Sequence, residues 1–173
     1  MACDITQGRA KECKDGIGGN SKLYLYNFVE DPFTILEGEA TAMNVEITAA
    51  YEYDLQGDGH ILDENMVSAR NEGTTLNTQT ITAILQKIDA STSAEMNLVA
   101  KNTPQAVVKD RNGNYFAVGI TDGIDFSIIA NTGSEKGDLN GYTLTGVSTE
   151  QDFAPLLDEA TVTAFLAVVA VNP

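Results

Sequence analysis

The chain has 173 residues, a formal net charge of −15 and a hydrophobic fraction of 43%. That length suits one domain, 1–173, able to bury about two-thirds of its unfolded surface. The acidity, with a pI near 4.1, argues against attraction to nucleic-acid phosphates. No apolar run reaches the ~18 residues of a membrane span, so no membrane partner is expected, and no apolar h-region marks a signal peptide.

Residues 1–20 read as an N-terminal arm. Arg9, Lys11, Lys14 and Lys22 crowd this end, and no Lys or Arg follows until Arg70. Cys3 and Cys13 bracket the arm without histidines beside them, which is too few ligands for zinc. Free thiols are the expectation, with a local disulfide as the minor alternative.

After the turn material "CKDGIGGN", the segment "KLYLYNFV" reads as a strand and "FTILEGEAT" as a short, acid-tipped one. "VEITAAYEYD" alternates with period two and predicts a strand over Val45–Asp54. Val45, Ile47, Ala49, Tyr51 and Tyr53 fall on one face of it, with Glu46, Thr48, Ala50, Glu52 and Asp54 on the other.

The next stretch, "DLQGDGHILDEN", has the outline of a calcium loop. Asp54, Gln56, Asp58, Gly59 and Ile61 occupy positions one, three, five, six and eight of an EF-hand, but Asn65 stands where a bidentate glutamate belongs. A strand, not a helix, precedes it. The reading is an acidic hairpin loop with turn-forming Gly and Asp, and no metal or other cofactor is expected.

"TTLNTQTITAILQKI" predicts a long strand with Ile81, Ala83 and Leu85 on one face and Thr80, Thr82 and Gln86 on the other. "DASTSAEMNLVAKNTP" predicts the one helix, with Thr92 and Glu95 at capping-box spacing and Pro104 as its stop. "QAVVKDRNGNYFAVGIT" is a hairpin by its Asn112-Gly113 dipeptide. "GIDFSIIA" and "GYTLTGVST" form a strand-loop-strand unit. The segment 153–173, with its apolar "VTAFLAVVAV", reads as a closing strand or tail. The sum is mainly β: a β-sandwich or half-barrel with one flanking helix.

Catalytic constellations are lacking. There is one histidine, "GIGGN" has no Lys-Ser/Thr to complete a phosphate loop, and carboxylate pairs are too abundant in so acidic a chain to mark a site. The expectation is a protein that is not an enzyme.

Three segments, "MACDITQGRAKECKDGIGGNSKLYLYNF", "VVKDRNGNYFAVGITDGIDFS" and "TGSEKGDLNGYTLTGVSTE", resemble a family of tailed-phage virion proteins found in phages of Bacteroidetes-type bacteria and in related virus-like elements. Within it the chain is most similar to major tail tube proteins. The resemblance implies hexameric rings that stack into a tube in the virion tail, assembled in the host cytoplasm. One sheet of each subunit would close a barrel around a DNA channel, and loops or arms would grip the next ring and other tail proteins. DNA would pass without specific binding.

On that basis Glu46, Thr48, Glu52, Thr80 and Thr82 are expected to line the channel, and Arg9, Lys11 and Lys14 to form an inter-subunit arm. Two alternatives stay open: a capsid decoration or neck protein of the same virion, and a calcium-dependent surface-binding module using Asp54, Asp58, His60 and Asp110.

Overall fold

Period-two patterning marks the strands of the smaller sheet most clearly, and Gly, Asn and Asp punctuate the turns between strands. The computed structural model describes residues 5–170, so Cys3 and its pairing lie outside the described residues. The order is β1 (Asn20–Tyr26), β2 (Phe33–Leu36), β3 (Glu39–Met43), β4 (Ala50–Asp54), β5 (Ile61–Ala69), β6 (Thr74–Gln86), α1 (Ala90–Lys101), β7 (Gln105–Asp110), β8 (Tyr115–Val118), β9 (Asp125–Asn131), β10 (Gly141–Glu150), β11 (Leu156–Leu157), α2 (Glu159–Ala167) and β12 (Val169–Ala170).

The strands form two sheets. An eight-stranded sheet, order β12-β4-β1-β7-β8-β11-β3-β2, curls into a half-barrel, and a four-stranded antiparallel sheet runs β5-β6-β10-β9. The fold is mainly β, as the patterning implies.

One core cluster joins the two sheets and α1: Leu23, Leu25 and Val108 from the half-barrel meet Ile81, Ala83 and Leu144 from the smaller sheet and Met96 and Val99 from the helix. The opposite face of the half-barrel holds a second cluster, with Tyr24, Tyr26, Phe33 and Val107 around Phe165 of α2. Gln105 ties the loops across this region. Its Oε1 accepts from the Val29 N–H at 3.0 Å, and its Nε2 donates to Val29 O at 3.1 Å and Ile120 O at 3.0 Å, so a fully buried amide is satisfied on both sides.

Tyr26 is the contrary case: its Oη is buried with no hydrogen-bond partner among the described residues, and desolvation pushes its phenol pKa far up. An unpaired buried hydroxyl costs about 1–3 kcal/mol. Tyr26→Phe is therefore expected to leave stability unchanged or raise it by up to ~1 kcal/mol. A melting temperature that falls clearly below wild type would mean the hydroxyl has a partner.

Several expectations need correction. The strand predicted over Val45–Asp54 begins only at Ala50. Asn44 breaks it: Ile47 N bonds Asn44 O at 3.2 Å, Glu46 N bonds Asn44 Oδ1 at 3.0 Å, and Asn44 Nδ2 reaches Glu30 O at 3.2 Å and Asp31 O at 3.3 Å. A residue that satisfies four backbone groups makes a turn cheaper than a ladder. Val45 is consequently 89% exposed, although the alternation put it on the buried face.

"FTILEGEAT" is a hairpin, β2 and β3, turning at Glu37-Gly38 where both residues have positive φ. The closing "strand" near the C-terminus is mostly α2, so there are two helices rather than one. The cap of α1 is Asp89, three residues before Thr92. Its carboxylate accepts from Thr92 N at 2.8 Å and from the Ser91 and Thr92 hydroxyls at 2.6 Å each, which holds its pKa down to about 2. The Asn112-Gly113 hairpin of β7 and β8 and the pairing of β9 with β10 follow the sequence reading.

Candidate functional site

The acidic stretch from Asp54 to Asn65 is not a hairpin loop. It carries the chain from β4 in the half-barrel to β5 in the other sheet, and Ile61–Asn65 are already strand. Asp54 and Asp58 of the stretch, with Glu52 just before it, meet the protein's own cations. Lys22 Nζ lies 2.6 Å from Glu52 Oε1 and 3.6 Å from Asp54 Oδ1, and Arg111 reaches Asp58 Oδ1 at 3.4 Å and the Gly57 carbonyl.

Asp110 is spent on its own turn, accepting from Asn112 N at 2.9 Å and Asn114 N at 2.8 Å. His60 is buried, 4% exposed. Its Nδ1 accepts from the Ile84 N–H at 3.2 Å, which requires the tautomer with the proton on Nε2, and that proton goes to Gln56 O at 3.0 Å. The ring clips the loop to β6.

Among the described residues no three His, Cys, Asp or Glu side chains gather as a metal site. Millimolar calcium is therefore expected to leave the melting temperature unchanged. A saturable upward shift abolished by Asp58→Asn would revive the binding-module reading.

The four-stranded sheet is built differently. Registers Asp63↔Thr80, Ile61↔Thr82, Thr145↔Thr82, Val147↔Thr80 and Thr145↔Ser127 align its side chains in rows. In β10 the burial alternates strictly: Tyr142, Leu144, Gly146 and Ser148 are buried, and Thr143, Thr145, Val147 and Thr149 face out. Gly146 is required there. A Cβ would sit 2.7 Å from the Phe126 ring, its cross-strand neighbour, and 2.7 Å from Ile124 Cγ2.

The outward face thus carries a row of threonines, Thr78, Thr80, Thr82, Thr143, Thr145 and Thr149, interspersed with Ile61, Val67, Leu76, Ile84, Ile129 and Val147, with Asp63 and Asp125 on the flanking strands. None of the four strands contains a lysine or arginine. Its edges, β5 and β9, are long and carry exposed Ile61, Val67 and Ile129. Native sheets rarely leave such edges without cover or charge.

A polar lock holds this sheet on the half-barrel. Glu64 Oε1 accepts from Asn77 Nδ2 at 3.0 Å, Gln79 Nε2 at 3.2 Å and Ala154 N at 2.7 Å, and Gln79 Oε1 accepts from Gly119 N at 3.1 Å.

The sequence-predicted channel residues therefore divide. Thr80 and Thr82 lie together on the outward face of the four-stranded sheet. Glu46 and Thr48 sit in the segment before β4, and Glu52 is half-buried against Lys22 on the half-barrel. No single face holds all five. The residues missed, Asp63, Asp125, Ser127, Thr143 and Thr145, carried a signal in the alternation of "GYTLTGVSTE".

Among the described residues, 5–19 of the arm have no regular structure. Arg9 pairs with Glu12 at 2.9 Å, and Ile17 is held by Asn112 through bonds of 2.9 and 2.8 Å. Comparison with family models, with curated proteins and with solved structures finds no match.

Proposed function

We propose that this chain is a tail-tube-type virion subunit, and that its four-stranded sheet forms the wall of a DNA conduit when copies assemble as rings. The observation that carries this reading is the sheet itself: one face packed on the core, the other a cation-free row of threonines interspersed with apolar side chains, and both edges open.

Four antiparallel strands leave the two edge strands running in opposite directions. β9 of one copy therefore meets β5 of the next antiparallel, and the ladder continues around the ring without a break. This contact is heterologous and closes only if the rotation per subunit does.

Six copies would supply about 24 strands, which at ~4.8 Å spacing and ~40° tilt give a backbone circle roughly 48 Å across. Inward side chains leave a bore wide enough for a duplex. Hydroxyls, apolar side chains and a few carboxylates along the bore, with no ammonium or guanidinium on the four strands, give phosphates no cation to adhere to.

Negative-stain imaging of the purified protein tests the reading, with stacked rings expected. Trimers or single rings that never stack would favour the decoration or neck role. A protein that stays monomeric at high concentration would remove the reason for the open edges.

A further inference from the structure

Between β4 and α1 lie two depressions of about 810 and 480 Å³ that share Tyr51, Tyr53 and Glu95 and so form one groove, with Asp54 and Gln56 at one end and Leu98 and Lys101 toward the other. The Tyr53 phenol pKa is pushed up to about 12, first by burial and then by the charge of Glu95 and by Tyr51. Lys22 answers Glu52 and Asp54 at one end, whereas Glu95 has no ion pair among the described residues. Two phenol rings beside an uncompensated carboxylate suit a cationic side chain, which gains from both the ring faces and the charge.

The chain carries a segment of the complementary kind. Residues 5–16 are exposed throughout, and their one described side-chain contact is the Arg9–Glu12 pair. Lys11 and Lys14 have no ion pair among the described residues. The Asn112 clasp on Ile17 fixes where the arm leaves the domain. About twelve extended residues span ~40 Å, about the diameter of a domain of this length. That is enough to cross to the equivalent groove of an adjacent copy.

We propose that the groove between β4 and α1 receives the N-terminal arm of a second copy, with an arm lysine over Tyr51 and Tyr53 and paired to Glu95. The contact rests on the ring reading only in needing an assembled neighbour; it does not depend on which sheet closes the barrel. Each arm occupies the next groove, so the links run head to tail and strap subunits that the sheet edges join.

Cys13, exposed on the arm, supplies the test. In a full-length Cys3→Ser background, Gln56→Cys places a thiol at the groove, and oxidised glutathione should convert the assembled protein into a reducible ladder of dimers, trimers and higher species. Ser127→Cys, on the sheet's outward face, should give none.

Adding Glu95→Lys should cut cross-linking roughly three- to tenfold, the worth of an exposed ion pair with a cation–π contact. Lys11→Glu with Lys14→Glu should recover it. A disulfide within one chain, joining Cys13 to the thiol introduced at position 56, would overturn the proposal, as would no ladder in a sample whose images show rings or tubes, or in one that stays monomeric. A ladder in a sample without rings would keep this contact and sink the conduit.

Discussion

Phe165→Ala should destabilise the protein by about 3–5 kcal/mol, the cost of emptying a fully buried aromatic site. Phe165 is 0% exposed and meets three rings: Tyr24 at 5.6 Å edge-on, Tyr26 at 6.0 Å and Phe33 at 6.5 Å between centroids. α2 has nine residues, too few to be stable alone in water, so the helix stays folded because this side chain is seated. Its loss would also expose the half-barrel face that α2 covers. Against a total of about 5–15 kcal/mol for a domain, the variant should be marginal at growth temperature. Chemical denaturation measures it directly, and a loss under ~1 kcal/mol would mean that α2 is peripheral to the core.

The second large effect concerns the proposed bore. Thr80→Lys with Thr82→Lys adds two cations per subunit to a face that has none, and in a ring of six they form a belt of about twelve. If the proposed tube forms, phosphates would be attracted at every ring of it, and releasing DNA would require counterions to rebind. Assembly should persist, since both residues point away from the core, while DNA release from particles carrying the variant slows severalfold and recovers at high salt. The same change at Glu46 and Glu52 should not slow release, because neither lies on the four-stranded sheet. Release unaffected by the threonine pair, or slowed by the glutamate pair, would put another face on the bore.

How legible these features were depended on how local their causes are. The β6 faces, the Asn112-Gly113 hairpin and the one-sidedness of "GYTLTGVSTE" follow from period and turn chemistry, which neighbouring residues decide. The strand over Val45–Asp54 failed because Asn44 makes its turn by bonding carbonyls thirteen and fourteen residues earlier, at Asp31 and Glu30, and nothing in the alternation reveals that. α2 failed for a different reason. "VTAFLAV" is short, β-branched and apolar on every side, and such a run is ambiguous between buried helix and strand until a partner is known. Asp158, whose carboxylate accepts from Thr161 N at 2.7 Å, was the missed start signal.

The acidic loop misled through composition: Asp54 and Asp58 look like ligands in sequence, but Lys22 and Arg111, distant in the chain, neutralise them in space. That β5 and β9 end the four-stranded sheet is a property of topology, and no local pattern states it.

A high-resolution map of the assembled protein decides whether the four-stranded sheet closes the ring. β9 of each subunit should be hydrogen-bonded antiparallel to β5 of the next, with Thr80, Thr82 and Thr145 facing the proposed bore. Free β5 and β9 edges, or Thr80 and Thr82 farther than ~10 Å from the bore surface, about a Debye length at 0.1 M salt, would contradict it.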